Sequence, residues 1–540
     1  MKRRRKKSKN KLGVRQLGLN ELKAILTRAR STPLSEEEFE KLDAALDTLA
    51  FITGELEKKG VSIKRLRNLL FGASSEKTSR IVGGGAKAES KAKRKRTGHG
   101  RNGAAAYTGA EKVKVPHETL KRGDLCPKCH KGKVYPLPDP GVLVRVTGMA
   151  PFMAKVYECD RLRCNGCLEV FTAKTPEGVG KDKYDETVPA MIGLLKYGTG
   201  LPFNRLEKLQ KGFGIPLPAV TQWDLVSKAV VPMMPAYAEL VRLAAQGKVL
   251  HNDDTTAKIL ELIKEMREEA LKDEKRDERT GMFTTGIVSV VEAHRIALFF
   301  TGRKHAEENL ERVLAERAEE LGPPIQMCDL LSRNTSGDFD TVVAGCMSHS
   351  RRKYVDVVEN FPDEVRHVLE ELKKVYKNDA TAKKKEMTDE ERLSFHQTKS
   401  GPVMEDLDEW LTALIKDKKV EPNSGLGEAI SFMQRHWDKL TLFLKVPGAP
   451  IDNNIVERAL KKAILHRKNA LFFKTLNGAH VGDIYMTFIH TCELNGVEPF
   501  DYLVALQRNA VEVEKNPGDW MPWNYRETME QLAKGPDPAK

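Results

Sequence analysis

The chain has 540 residues, with 90 Lys and Arg against 76 Asp and Glu and a formal charge of +14. That length exceeds what one hydrophobic core serves, so several domains are expected, and the charge points to a polyanionic partner, nucleic acid ahead of a lipid surface. No apolar run approaches the roughly 18–20 residues that span a bilayer, and the eight cysteines are too few for a disulfide scaffold, which together predict a cytoplasmic, reduced protein without a membrane partner.

The first residues, Lys2-Arg3-Arg4-Arg5-Lys6-Lys7, form a basic arm that lacks the apolar stretch of a secretory signal. Between 34 and 60, Phe39, Leu42, Leu46, Leu49 and Leu56 recur at helical spacing behind Ser35 and the acidic turn Glu36-Glu37-Glu38. This predicts a capped amphipathic helix; self-association and a hairpin with Ile63, Leu66, Leu69 and Leu70 fit it equally. Arm and helices occupy residues 1–82. Residues 83–115, including Gly83-Gly84-Gly85 and Lys91-Ala92-Lys93-Arg94-Lys95-Arg96, read as a flexible basic linker.

A module over 116–175 carries Cys126-Pro127-Lys128-Cys129 and Cys164-Asn165-Gly166-Cys167. Two C-x2-C knuckles supply four thiolates, a set that closes a tetrahedron around a structural zinc and leaves no position for water. Alternation at Val142, Val144, Val146 and then Phe152, Ala154, Val156 predicts strands between the knuckles, and Cys159 is a fifth candidate ligand. Residues 176–245 are expected to be helical. A helix-turn-helix is drawn around Arg205-Leu206-Glu207-Lys208-Leu209 and Val220-Thr221-Gln222-Trp223, parted by Gly214-Ile215-Pro216-Leu217-Pro218; a packing hairpin fits equally well.

From 246 to 500 the pattern changes. Lys248-Val249-Leu250-His251-Asn252-Asp253-Asp254 reads as a strand ending in acid, with Val249, His251 and Asp253 on one face. Two further strands are expected over 281–291 and 295–301, a helix over 304–321, and a short strand Pro324-Ile325-Gln326-Met327-Cys328 ending in Asp329. A helical insertion (355–448) follows, with Val365, Leu369, Leu372, Trp410, Leu411, Trp437 and Leu440 as core, and residues 501–540 are expected to be a C-terminal tail. After the insertion, Asp452-Asn453-Asn454-Ile455-Val456-Glu457-Arg458 opens a basic helix, capped by Asp452 or Asn453, with Asn453, Asn454, Glu457 and Lys461 on one face. The order strand-Asp, strand, strand, helix, strand-Asp and a distant helix bearing Glu describes a ribonuclease-H-like core. The whole is multidomain α+β: N-terminal helices, a zinc-ribbon-like module, a helical segment and this α/β core with its helical insertion.

Carboxylates on adjacent strand ends plus one on a helix suit magnesium, which takes hard oxygen ligands and keeps several waters. Two such ions stabilise the attacking and leaving oxygens in displacement at phosphorus.

These residues carry a resemblance. The chain resembles transposases of the insertion sequence 66 family, a DDE-type group. Leu70-Phe71-Gly72-Ala73-Ser74-Ser75-Glu76-Lys77, the paired knuckles, Leu201-Pro202-Phe203-Asn204-Arg205, Leu250-His251-Asn252-Asp253-Asp254-Thr255 and Gly345-Cys346-Met347-Ser348-His349-Ser350-Arg351-Arg352-Lys353 are each similar to family motifs. The most specific match runs from Asp452-Asn453-Asn454 through Glu457-Arg458 to Arg467-Lys468-Asn469, and Gln397, Ser400 and Pro402 also resemble family positions.

The resemblance implies Asp253, Asp329 and Glu457 as catalytic acids holding two Mg²⁺, with Mn²⁺ able to substitute. The basic helix around Glu457 makes Arg458, Lys461, Lys462, Arg467 and Lys468 the expected contacts to DNA phosphates. Partners would be double-stranded DNA at element ends and target, a second copy of the chain, and accessory proteins of the same element. Two departures stand out: Asp254 replaces the family's usual Glu, and Leu330-Leu331 follow Asp329 where the family has a small or basic residue and then Tyr, which brings in Asp338 and Asp340 as substitutes. Cys346 and His349 form a C-x2-H pair without a second pair, and read as scaffold. The expected activity is cleavage at element ends and strand transfer; the rivals are a structure-selective nuclease on the same fold and a zinc-dependent DNA-binding regulator.

Overall fold

The computed structural model describes residues 25, 27–29, 33–43, 115–116, 118–137, 149–163, 170–178, 180, 182–271, 281–331, 334 and 339–534. The basic arm, Leu70 to Lys77, Val142 to Val146, Cys164, Cys167, Asp338, the last six residues and all of the linker but Val115 lie outside them. Contacts divide the chain into Gly85–Met153 and the remainder.

In the small unit the first knuckle is formed. Cys126 N donates to Gly132 O at 2.7 Å and His130 N to Cys126 O at 2.9 Å, curling the chain around the two thiols. In the large unit the helix over 36–43 starts as its sequence predicts. Ser35 Oγ accepts from Glu38 N at 3.4 Å, and Glu38 Oε2 accepts from Ser35 N at 3.0 Å, a reciprocal cap. Ala154 and Val156, expected on a strand, have no strand structure, and Val156 is exposed. The strand pairing lies further on, where β1 (Arg161–Arg163) meets β2 (Val170–Thr172).

The helical segment comprises α1 (Thr187–Gly193), a π-helical turn (Leu194–Gly198), α2 (Phe203–Gly212), α3 (Ala219–Ala229) and α4 (Met234–Ala245). Gln222 of α3 is fully buried and donates to Phe203 O and Leu217 O at 3.1 and 2.8 Å. It thereby locks α2, the proline-bounded turn and α3 into a packed hairpin.

A five-stranded mixed sheet organises the rest. Its strands are β3 (Val249–Thr256), β4 (Phe283–Val291), β5 (His294–Gly302), β6 (Ile325–Cys328) and β7 (Val342–Gly345), in the spatial order β5-β4-β3-β6-β7. The first three form an antiparallel meander, and β6 and β7 add parallel to β3. Between strands run α5 (Leu260–Leu271) and α6 (Ala306–Leu314). After β7 come α7 (Met347–Asp356), α8 (Pro362–Lys384), α9 (Asp389–Lys399), α10 (Gly401–Lys416), α11 (Gly425–Arg435) and the single turn α12 (Trp437–Leu440). Apolar residues of α7, α8, α10, α11 and α12 meet in one core that also holds Ile325, Met327 and Ala344 of the sheet, so this helical block packs on the β6–β7 side.

The chain then returns across the sheet as α13 (Asn454–Ala470). Val456, Ala459, Leu460 and Ala463 are its buried face. Gly286 of β4 makes the docking close: a Cβ there would come within 2.9 Å of Leu460 Cδ2 and 3.2 Å of Val456 Cγ2. A side chain at that position would force Leu460 and Val456 to shift.

Next, α14 (Leu476–Leu494) lies along the edge strand β5. Asp483, Thr487, Thr491 and Asn495 stand four residues apart, and each accepts a backbone N–H of β5: Thr301 at 2.7 Å, Phe299 at 3.3 Å, Ala297 at 3.1 Å and Arg295 at 3.1 Å. Four residues of helix rise about 6 Å, close to the two-residue repeat of a strand, so the two ladders stay in step. The stretch from 501, expected as a tail, is helical through α15 (Pro499–Arg508), α16 (Ala510–Lys515) and α17 (Tyr525–Lys534). Its aromatic residues give the reason: Tyr502, Trp520 and Tyr525 are buried, and Tyr502 Oη donates to Trp520 O at 2.8 Å.

Candidate metal and DNA site

The parallel pairing of β3 with β6 runs as far as His251 and Met327. Asp253 stands two residues beyond that pair within β3, Asp329 follows β6 directly, and the charge of Asp329 acts on the Asp253 carboxyl. The third arrives on the first turn of α13, whose start is held by three contacts of Asn453. Its Oδ1 is 3.0 Å from His251 Nδ1, its Nδ2 donates to Asn252 O at 3.0 Å, and its backbone N–H points at Cys346 Sγ at 3.2 Å. Because Asn453 is used this way, Asp452 does the capping, taking Asn454 N at 3.2 Å and Asn454 Nδ2 at 2.8 Å.

Asp253 feels both other acids. Burial and, after it, the charges of Asp329, Glu457 and Asp254 together push its carboxyl up to about 7 against the lowering effect of the Asp254 N–H. Asp254, one residue on, faces the opposite side of the sheet. Its carboxylate is only 1% exposed, accepting from Thr285 Oγ1 at 2.7 Å and Ala306 N at 3.0 Å, with His305 Nδ1 at 3.2 Å. It caps the start of α6.

Asp329 Oδ1 accepts from Leu331 N at 3.1 Å and Asn334 Nδ2 at 2.7 Å. Asn334 is buried and central to a polar network that sequence reasoning missed: its carbonyl takes Asn252 Nδ2 and Gln326 Nε2, both at 2.7 Å. Leu330 explains the departure from the family pattern. It adopts φ +65° and lies over Gly345, where a Cβ would meet its Cδ1 at 2.6 Å, so it anchors the helical block to the strand ends at the cost of a left-handed backbone. Asp340 is exposed and precedes β7, which places it at the opposite end of the parallel strands from Asp329.

Glu457 Oε2 accepts from Arg352 Nη2 at 2.9 Å, while Oε1 lies 3.7 Å from His349 Nδ1 and is buried without a hydrogen bond among the described residues. Arg352 and His349 come from α7, inside the Gly-Cys-x-x-His-x-Arg-Arg-Lys string, which was the available signal for them. Of the basic residues on α13, Arg458, Lys461 and Lys468 are exposed. Lys462 pairs with Glu493 at 2.8 Å, and Arg467 donates to Thr255 Oγ1 at 3.2 Å and to Thr256, so both are engaged within the protein.

In the knuckle, backbone N–H groups of Gly132 and Lys131, then the side chain of Cys126, hold the Cys129 thiol below its usual range, which favours the thiolate a metal needs. Cys159 is partly exposed; Cys164 and Cys167 are outside the described residues.

The model of the transposase IS66 family matches residues 181–481, more than half of the chain. The chain belongs to this family. Its members are transposases, enzymes that cut and transfer DNA, and the matched span runs from the helical segment through the sheet and the insertion to α14. Family transposases work with divalent metals, and among the described residues Cys346, His349 and Glu457 bring three ligand atoms together. Similar proteins include the uncharacterized protein y4hP of Sinorhizobium fredii (strain NBRC 101917 / NGR234), 25% identical over 407 residues, 70% of this chain and 69% of the relative. Two more from that organism are each 29% identical over about a third of both chains: y4jD over 198 residues and y4qI over 204. No described helix is long and apolar enough to cross a membrane.

Proposed function

We propose that the chain is a DDE-type transposase with a ribonuclease-H-like core, in which Asp253, Asp329 and Glu457 are the catalytic acids. The observation that carries this reading is the half-buried Asp253 carboxyl, which burial first and the charges of Asp329 and Glu457 after it push up to about 7. Crowded carboxylates of this kind suit a divalent cation, and an all-oxygen donor set favours magnesium, with manganese as substitute. The strand order with its antiparallel meander and two parallel additions supports the same core.

When bound, paired magnesium ions would stabilise the attacking and leaving oxygens at phosphorus. The protein's own part is positioning. The ends of β3 and β6 hold Asp253 and Asp329, and Asn453 fixes where Glu457 enters. Arg458, Lys461 and Lys468, exposed on the same helix, hold backbone phosphates beside the acids; Lys462 and Arg467 support α13 from its flanks. Water first cuts at the element end, and the freed 3′-hydroxyl then attacks target DNA in line. Cys126, Cys129, Cys164 and Cys167 are proposed as ligands of a structural zinc, supported by their spacing and the lowered Cys129 thiol. Two element ends need two copies of the chain, with accessory proteins of the same element as further partners.

The test is strand transfer by the purified protein on element-end DNA with magnesium. Asp253→Asn, Asp329→Asn and Glu457→Gln should each abolish joined product while leaving DNA binding nearly intact. Cleavage without joining by the unaltered protein would favour a nuclease, and DNA binding without cleavage under any divalent ion a regulator.

A further inference from the structure

Glu457 lies near donors of different chemistry. Its charge acts on the Asp253 carboxyl, and a thiol and an imidazole come close to it: one ligand atom each from Cys346, His349 and Glu457 all lie within 4.8 Å of one another. Cys346 sits at the N-cap of α7 with His349 one turn later, so both project toward the incoming α13. Asn453 N, at 3.2 Å from Cys346 Sγ, pins the two helix starts together. Arg352 occupies only Oε2 of Glu457, at 2.9 Å. Oε1 is buried, turned toward His349 Nδ1 at 3.7 Å, and accepts no hydrogen bond among the described residues. A buried carboxylate oxygen without a donor is costly unless a cation meets it.

We propose that Cys346, His349 and Glu457 form a binding site for a zinc-class divalent ion, distinct in chemistry from the all-oxygen site and sharing Glu457 with it. Sulfur, nitrogen and one carboxylate oxygen are the donor types zinc selects, and magnesium does not take thiolate. Three protein ligands leave a fourth tetrahedral position open. On binding, Cys346 releases its thiol proton to solvent and the sulfur–metal bond replaces the S–H bond, with no change in oxidation state. The sharing rests on the proposed role of Glu457, and it makes zinc and magnesium compete: an ion held by Cys346 and His349 draws Glu457 away from Asp253.

The experiment is equilibrium dialysis of the full-length protein against Zn²⁺, with bound zinc counted per chain. Cys346→Ser, His349→Asn and Glu457→Gln are each expected to bind one zinc fewer than the unaltered protein, and to keep any zinc held by the knuckle cysteines. Should Cys346→Ser fail to fold, His349→Asn supplies the same reading. Excess Mg²⁺ is expected to weaken this one zinc in the unaltered protein. Asp253→Asn, which leaves all three ligands in place, is expected to keep it. Unchanged zinc in His349→Asn and Glu457→Gln overturns the site, and zinc indifferent to magnesium overturns the sharing. Neither result bears on strand transfer, from which the catalytic reading stands or falls separately.

Discussion

Asn453 Oδ1 lies 3.0 Å from His251 Nδ1, and the surrounding bonds fix which of the two donates. Asn453 Nδ2 is already given to Asn252 O, so Oδ1 accepts and His251 carries its proton on Nδ1. Burial holds the imidazole neutral by pushing it down to about 4. Asn453→Ala would leave a buried N–H unpaired, at a cost of about 1–3 kcal/mol. Urea denaturation should show that loss, and DNA cleavage should fall further than the stability change explains, because Glu457 is one turn away. A variant that unfolds at the unaltered urea midpoint would mean the link bears no weight.

Asp253 makes a pH-dependent prediction with a definite sign. Its carboxyl titrates near 7 in the folded protein, against an ordinary value of 3.8. Between those values the folded state binds the extra proton, so without metal this group lowers stability as pH rises from about 4 to about 7. Asp253→Asn should therefore stabilise the magnesium-free protein at pH 8, by roughly 1–3 kcal/mol, and have little effect at pH 4. Magnesium affinity should fall about tenfold per unit below pH 7 as protons compete for the same oxygens. An equal effect of the substitution at both pH values would contradict the shift.

Gly286→Val tests whether α13 needs close approach. Asp253 and Gly286 are register partners, and the added side chain would strike Leu460 and Val456. The expected cost is about 1–3 kcal/mol from overpacking. Cleavage should drop by more than Leu460→Ala causes, since valine displaces the helix that carries Glu457 while alanine only thins its contact.

Within the helical block, Asp379 of α8 is a clamp. Lys383 Nζ reaches it at 2.8 Å and Arg392 Nη2 at 2.8 Å, and Arg392 Nη1 continues to Ala449 O at 3.2 Å, just before α13. Burial pushes the carboxyl up, but the bonds from His396 and Lys383 and the charge of Arg392 outweigh it and hold the group well below 3.8. A depressed value means the clamp stabilises above about pH 4 and weakens as pH falls below that. Asp379→Asn should cost about 1–3 kcal/mol at pH 7, because the half-buried Arg392 loses its carboxylate partner. The gap between variant and unaltered protein should narrow in acid denaturation below pH 3.

Much of the sheet was legible because its strands are amphipathic or apolar and end in marked residues. Residues on one face placed β3, richness in Val, Ile, Phe and Thr placed β4 and β5, and the run ending in Asp329 placed β6. The tetrapeptide Val-Val-Ala-Gly of β7 is too short to show a period, so that strand was not foreseen. The resemblance of Leu250 to Thr255 to a family motif chose Asp253 over Asp254, while the bonds of Asp254 to Thr285 and Ala306 join segments the sequence does not place together. Asn334 was invisible because its bonds to Asp329, Asn252 and Gln326 join three separate segments. Gly286 gave the one signal a lone glycine inside a strand gives, that another backbone or helix comes close. Cys346 and His349 read as scaffold because the third donor comes from more than a hundred residues downstream.

The row Asp483, Thr487, Thr491 and Asn495 has a consequence for assembly. An edge strand ordinarily offers its outward N–H groups to any extended segment that passes. Here those of Arg295, Ala297, Phe299 and Thr301 are saturated by a helix of the same chain. A second protomer therefore cannot join by continuing the sheet at β5, nor can an unfolded neighbour use that border as a template for aggregation.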